Sequence, residues 1–399
     1  MWPCTWPRIW AVTRWSLDNS NLKIMNKIMT KVSLVKCGSY DNKQIQEAVT
    51  RAVDLLGGMS AFVKPGHKVL LKPNLLSAKT PDQAITTHPA VAEAVVILVK
   101  QAGGIPLVGD SPAGAVKNLE EFWSTTGMLE VCRRQGVELI SFESSGVHLR
   151  EINGTRYHIA KPVLDADVII NLPKLKTHGL TMMTGAVKNM YGAIPGLKKS
   201  MYHKQAPKPW DFSRLVADIY TLAKPHLTIV DAVVGMEGFG PSAGKPRNLG
   251  FIMAGQDGVA LDSYAAHLLG KKPLDIPITR LAYQKQIGEA DLKRIEQLGD
   301  NFEPLKDFVW PPNWFYSFIP GFLARYAARL FWVRPAIDPK LCINCGYCVE
   351  SCPVSALASV REVPEFNYKL CINCLCCSEV CPQHAVYQKR SPVAKLLGR

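Results

Sequence analysis

Nine of the chain's 12 cysteines fall between Cys342 and Cys381, while Cys4, Cys37 and Cys132 are scattered over everything before them. The cluster is a duplication: Lys340-Leu-Cys-Ile-Asn-Cys returns as Lys369-Leu-Cys-Ile-Asn-Cys. Each copy carries the same run, Cys342-x2-Cys345-x2-Cys348-x3-Cys352-Pro353 and Cys371-x2-Cys374-x2-Cys377-x3-Cys381-Pro382. A small unit that occurs twice and concentrates its thiols this tightly reads as a metal-binding repeat rather than a disulfide framework. Four thiolates also suit tetrahedral zinc, so a pair of zinc sites is the competing reading, although zinc rarely needs two interlocked runs of this kind.

The last 60 or so residues resemble the bacterial two-cluster ferredoxins, whose pattern is this run with its trailing proline. Three thiolates on one tight loop can reach three irons of a cubane, and the fourth cysteine and its proline turn the chain away. In that family the fourth cysteine ligates the other cluster. The resemblance therefore implies two [4Fe-4S] clusters, one held by Cys342, Cys345, Cys348 and Cys381, the other by Cys371, Cys374, Cys377 and Cys352. Cys376 is an additional thiol that the pattern does not use, and it reads most simply as a small buried apolar residue beside the cluster.

At 399 residues the chain has room for one large core besides this module. Between Lys31 and about Leu298, short apolar runs alternate with helical patterns, as in an α/β sheet domain. Strands are expected at Val32–Val35, Val69–Lys72, Pro106–Gly109, Val137–Phe142, Val168–Leu172, Leu227–Val230 and Phe251–Ala254. Helices are expected at Gln44–Leu56, Pro89–Gln101, Phe212–Ala223 and Val259–Leu269. The fold class is thus an α/β large domain, with a mixed or parallel sheet and flanking helices, followed by a small α+β ferredoxin-like two-cluster domain. The expected boundaries are a non-core extension over 1–28, the α/β domain over 29–300, an aromatic, proline-rich connector over 301–336 and the cluster module over 337–399.

The formal charge of +14 predicts attraction to anions without choosing among them. It is locally one-sided: between Asn171 and Trp210 stand seven lysines and no acidic residue. Asn171-Leu-Pro-Lys174-Leu-Lys176-Thr-His178 follows an expected strand, and Val187-Lys188-Asn189-Met-Tyr-Gly192 comes soon after. Strand ends are where open α/β sheets bind ligands. Lys72, Asn74, Lys174, Lys176, Lys188 and Asn189 are therefore the candidate anion site, with His88, His178 and Asp110 as candidates for proton transfer. A hydrogen-bonded cap or loop is the competing role for each histidine, and a turn for Asp110. Asp257 reads as a helix N-terminal residue, and Asp262 as either exposed or facing the same crevice. Neither a complete dinucleotide fingerprint nor a phosphate loop is present, so NAD and ATP are not indicated.

Leu70-Leu-Lys-Pro-Asn74, Asn171–His178 and Val187–Gly192, in this order, resemble the domain-of-unknown-function 362 family, whose members pair such a domain with a ferredoxin-like module. The resemblance implies the domain boundary and the grouping of these loops, and leaves the substrate open.

Two further segments bear on location. Residues 1–28 contain four tryptophans but no apolar core with a cleavage site, and Met29 opens a clean strand pattern; they are expected to be a start-site artefact, with an interfacial aromatic segment as the alternative. Residues 308–324 carry no charge but three prolines, which favours a packed connector over a membrane span. Arg325, Arg329 and Arg334 keep a peripheral membrane contact open.

The expectation is a cytoplasmic iron–sulfur protein, an oxidoreductase if it turns over a substrate. It would exchange electrons with an anionic ligand, cofactor or partner at the basic domain. The alternative is a non-catalytic electron carrier that docks an acidic protein. Nucleic acid is disfavoured, since no recognition motif accompanies the charge.

Overall fold

The structure, a computed structural model, describes residues 29–113, 118–196, 198–311, 332–358 and 363–392. The expected N-terminal extension, most of the aromatic connector, Arg325 and Arg329 lie outside the described residues.

The large domain is built on β1 (Thr30–Lys36), β2 (Lys68–Pro73), β3 (Ile105–Asp110), β4 (Glu138–Ser141), β5 (Val147–Ile152), β6 (Thr155–Ala160), β7 (Val168–Leu172), β8 (Lys174–His178), β9 (Met182–Thr184), β10 (Leu227–Glu237), β11 (Lys245–Gly255) and β12 (Ile295–Gly299). The main sheet runs β12-β1-β11-β10-β7-β2-β3-β4, with β8 and β9 attached beside β10, while β5 and β6 form a separate hairpin. From β10 to β4 every neighbour is parallel, and β11 is antiparallel to both β1 and β10. Val69-Leu70-Leu71 on β2 and Val168-Ile169-Ile170 on β7 are buried and lie in register. Such continuous apolar runs are what a parallel strand covered on both faces requires.

The chain fills β2, β3 and β4 outward in one direction and then returns to β7 on the other flank of β2. That reversal opens a crevice at the carboxyl ends of β2 and β7, where ligands bind in open α/β sheets. Lys72 and Pro73 end β2, Asp110 ends β3, and Asn171 lies opposite Lys72 in the register.

Helices Asn42–Asp54 and Pro89–Gln101 cover one face around Val49, Val91, Val95 and Ile170. The second begins where expected because His88 Nδ1 accepts from Ala90 N and Pro89 occupies the first turn. Helix Pro209–Leu222 covers the other face with Leu70, Ile169 and Phe212. Helix Gly258–Leu268 starts on Asp257, whose side chain accepts from Val259 N and Ala260 N.

Two expectations are corrected. Lys174–His178, grouped in the sequence with the strand-end loops, is itself a buried strand, interrupted from β7 only by Pro173. The strand from Leu227 continues to Glu237, so the glycines of the following segment begin inside it.

The C-terminal module pairs β13 (Val333–Ile337) with β16 (Val386–Arg390), and β14 (Leu357–Ala358) with β15 (Glu365–Phe366). The sequence repeat is a backbone repeat as well. Asn344 and Asn373, Gly346 and Leu375, and Ser355 and His384 occupy matching positions with positive φ. Gly346 takes this conformation freely, whereas Leu375 carries a side chain there, which packing must hold in place. No helix among the described residues is long and apolar enough to cross a membrane. Phe308 and Trp310, at the start of the aromatic segment, pack against the large domain, where Trp310 Nε1 donates to Leu269 O at 3.0 Å.

Candidate functional site

The two cysteine runs fold around two separate cavities. Cys342, Cys345, Cys348 and Cys381 line one. Cys352, Cys371, Cys374 and Cys377 line the other, together with Cys376. Each quartet draws its fourth thiol from the opposite run. Among the described residues no three His, Cys, Asp or Glu side chains close on a single ion, so each quartet surrounds a space and not a point. Four soft thiolate donors around such a space fit an iron–sulfur cubane.

The module sits on the crevice of the large domain. Ser242 Oγ donates to Ser378 O at 3.1 Å, His384 Nε2 meets Gln83 Oε1 at 3.1 Å, and Lys79 Nζ donates to Pro382 O. The short helix Cys376–Glu379 places Cys376 and Glu379 one turn apart, on the same side. Both side chains line a third cavity, formed with Lys72, Asn74, Asp110, Lys176, Thr184, Lys188, Lys199, His203 and Ser351. Cys376 therefore belongs to the wall of the second quartet's cavity and to the wall of this basic one.

The basic cavity encloses about 60 Å³. Lys72 Nζ lies 2.7 Å from Asp110 Oδ1, both side chains buried, and Asp110 Oδ2 accepts from Leu75 N. The backbone of Gly192 abuts this pair: a Cβ there would stand 2.6 Å from both Lys72 Nζ and Asp110 Oδ1. Lys176 Nζ donates to Ile85 O, and Lys199 Nζ to the carbonyls of Ser111 and Pro112. Burial lowers all of these amines, Lys199 to about 8 and Lys176 well below the ordinary lysine range, with Lys188 adding to the depression of Lys176. Lys188 is also lowered by burial, against the pull of Glu379, and makes no hydrogen bond or ion pair among the described residues.

An amide chain crosses the crevice floor. Asn171 Nδ2 donates to Ala186 O, Asn189 Nδ2 to Asn171 Oδ1, and Asn74 Nδ2 to Asn189 Oδ1. Because Ala186 O can only accept, the direction of every amide is set, and the chain ends on Asn74 Oδ1 as an acceptor without a partner. Thr184 Oγ1, His203 Nδ1 and Ser351 Oγ are likewise buried on this cavity without partners.

The sequence candidates thus divide. Lys72, Asn74, Lys176, Lys188, Asn189 and Asp110 converge on the cavity. Lys174 does not: its ammonium is paired with Asp231 at 2.9 Å and donates to Tyr40 OH. His88 is a helix cap stacked on Tyr40, the bland role weighed for it. His178 Nδ1 accepts from Leu180 N and Thr181 N, so Nε2 carries the proton and faces Glu379 Oε1 at 3.3 Å. That imidazole is a docking contact for the cysteine module and does not line the basic cavity. Asp262 is buried and accepts from Ala186 N and Val187 N, which fixes the turn before Lys188. Glu379, His203, Thr184, Lys199 and Ser351 were not singled out by sequence; of these, Lys199 alone carried a signal, as one of the seven lysines.

The interface has an acid sensitivity of defined sign. Burial pushes His178 down to about 4 and His203 to about 3, so the folded chain binds fewer protons than the unfolded one below the ordinary imidazole value near 6.5. Stability is fully present above that value and is lost as pH falls toward 4, on the order of 3 kcal/mol per imidazole. Urea midpoints should fall between pH 7 and pH 4.5, and less steeply in His203→Phe, whose ring retains the stack on Phe212. Equal slopes in the two proteins would remove His203 from the account.

With the geometry in place, comparison with known proteins gives a consistent picture. A thylakoid-associated protein of Synechocystis sp. is 36% identical over 263 residues, spanning 65% of this chain and 80% of its own. The model of the domain of unknown function DUF362 matches residues 69–267. The chain belongs to the DUF362 family. In this DUF362 protein the model of a 4Fe-4S dicluster domain matches residues 334–383, so the C-terminal module is an iron–sulfur module. The lactate racemase apoprotein from Thermoanaerobacterium thermosaccharolyticum shows a TM-score of 0.38 at 14% identity, over 57% of this chain and 54% of that one, a likeness too distant to bear on chemistry.

Proposed function

We propose that this DUF362 protein is an iron–sulfur electron carrier that holds two [4Fe-4S] clusters and exchanges electrons with a small anionic ligand in the basic cavity. Cys342, Cys345, Cys348 and Cys381 would hold one cluster, and Cys371, Cys374, Cys377 and Cys352 the other. Bound there, such clusters take up and release single electrons with little movement of their ligands. The observation that carries the reading is the position of Cys376, which separates the second quartet from the cavity by the thickness of one side chain.

The remaining work falls to this chain's own residues. Lys188 supplies the unpaired positive charge, and Thr184 and Ser351 supply hydroxyls. His203 Nδ1, rather than His178 or His88, is the imidazole nitrogen left open on the cavity to hold or give a proton. The docked module excludes bulk water, which strengthens each of these contacts.

Anaerobic purification with iron and sulfide analysis tests the cluster assignment: about eight of each per chain is expected, with two one-electron couples in a potentiometric titration followed by paramagnetic resonance. Zinc in their place, or a colourless iron-free protein, would end the redox reading.

A second reading, docking of an acidic electron-transfer protein, is favoured by one feature. Leu341, Ile343 and Leu370 are exposed beside Cys342 and Cys371, flanked by Lys340 and Lys369. Steep loss of partner binding with salt, without turnover of a small molecule, would favour it. As for location, the thylakoid association of the Synechocystis relative and the uncharged aromatic segment 308–324 support a peripheral membrane contact.

A further inference from the structure

The basic cavity is specific about more than charge. Four lysines and two acidic residues line it, Lys72, Lys176, Lys188 and Lys199 against Asp110 and Glu379; burial lowers Lys176 furthest, and even without it three amines stand against two carboxylates. Three of the amines are tied to Asp110 or to carbonyls, so Lys188 is the group left to meet an incoming anion. The enclosed space of the cavity is about 60 Å³, which suits a small ligand.

The polar groups left without partners define the rest. Thr184 and Ser351 can donate or accept, but Asn74 Oδ1 can only accept, because the amide chain through Asn189 and Asn171 fixes its orientation. A buried acceptor left unsatisfied is costly, so the ligand that fits is one that brings a donor of its own. An oxyanion with no hydrogen, placed against that oxygen, would meet it with like partial charge.

We infer that the cavity behind Cys376 binds a small oxyanion that itself carries an O–H, with its negative charge at Lys188 and its hydroxyl donated to Asn74 Oδ1. This rests on the reading of the cavity as an anion site and names the class of anion. Two sources share that chemistry: a short hydroxy acid, which could also give electrons to the clusters, and hydrogenphosphate, whose fully oxidised phosphorus could not and which would be a bound ligand only.

Matched pairs separate the hydroxyl from charge, at a pH of about 8 where phosphate is mostly a dianion like sulfate. Calorimetric titration of the anaerobically purified protein would compare inorganic phosphate with sulfate, and glycolate with acetate, at one pH and ionic strength. In at least one pair the hydroxyl-bearing member is expected to bind at least tenfold more tightly, and the pair that shows it identifies the source. Asn74→Ala should abolish the preference within the pair. Lys188→Met should weaken the preferred anion at least tenfold, and Lys43→Gln, exposed on helix Asn42–Asp54 and away from the cavity, should change nothing. Because Cys376 also walls the second quartet, binding is expected to shift one paramagnetic signal and leave the other in place.

Equal affinity within both pairs, or no binding at all, in protein whose iron content and signals are intact would overturn the inference and leave the cluster assignment standing. The converse also holds. Iron-free protein would overturn the cluster assignment, while the ratios within the two pairs would still decide the anion class.

Discussion

Protein carrying Cys345→Ala with Cys381→Ala is expected to retain about four of eight irons and one intact paramagnetic signal, whereas Cys345→Ala with Cys352→Ala should retain neither signal intact. The asymmetry follows from which thiols share a cavity. Cys381 stands with Cys342, Cys345 and Cys348, although 36 residues separate it from Cys345. Cys352 stands with Cys371, Cys374 and Cys377. The first double variant therefore strips two ligands from one quartet, and the second strips one from each. If each run instead served its own cluster, the outcomes would be exchanged: Cys345 and Cys352 would fall in one site, and Cys345 and Cys381 in two. Iron analysis with paramagnetic resonance on both proteins distinguishes the two arrangements without reference to any activity.

Local chemistry made part of this molecule readable from sequence. Helix Pro89–Gln101 and strand Val168–Leu172 stand where the cap, the proline and the apolar run place them. The cysteine quartets were legible because their spacing is dictated by the group they would bind and not by the surrounding fold. The hairpin of β5 and β6 is not among the expected elements: its strands are short, no residue of β5 is buried, and the alternation of Val147 with Leu149 and of Tyr157 with Ile159 spans only one step on each strand. Lys174–His178 reads in sequence as a strand-end anion site, and its burial as a strand is not legible there because the groups that allow these side chains to be buried are far away in sequence. Asp231 partners Lys174, Ile85 O receives Lys176, and Glu379 faces His178. The cavity is composite for the same reason: one wall comes from the strand ends and the other from a four-residue helix in the cysteine module. Cys376 alone gave a hint, as a thiol in excess of the pattern.

Replacing Asp231 with alanine should cost more stability than any other single change outside the cysteine runs. Its side chain is fully buried and accepts from three donors: Lys174 Nζ at 2.9 Å, His88 N at 2.9 Å and Tyr40 OH at 2.7 Å. Those donors belong to β8, to the start of helix Pro89–Gln101 and to the segment that leads into helix Asn42–Asp54, so one carboxylate on β10 ties three parts of the domain together. Without it, Lys174 is a buried amine with no counter-charge, and Tyr40 OH and His88 N lose their acceptors. Breaking a buried pair from one side costs about 3–5 kcal/mol, and each orphaned donor about 1–3 kcal/mol more. Against a typical total of about 5–15 kcal/mol, Asp231→Ala should accumulate as insoluble protein or unfold far earlier in urea. Asp231→Asn keeps an acceptor for the hydroxyl or the amide and removes only the charge. Combining it with Lys174→Met removes both charges at once, so the double variant should be more stable than the sum of the two single losses. A double variant that simply adds the single effects would show that Lys174 and Asp231 are neighbours without being energetic partners, and an Asp231→Ala protein within about 1 kcal/mol of the parent would remove the carboxylate from its structural role.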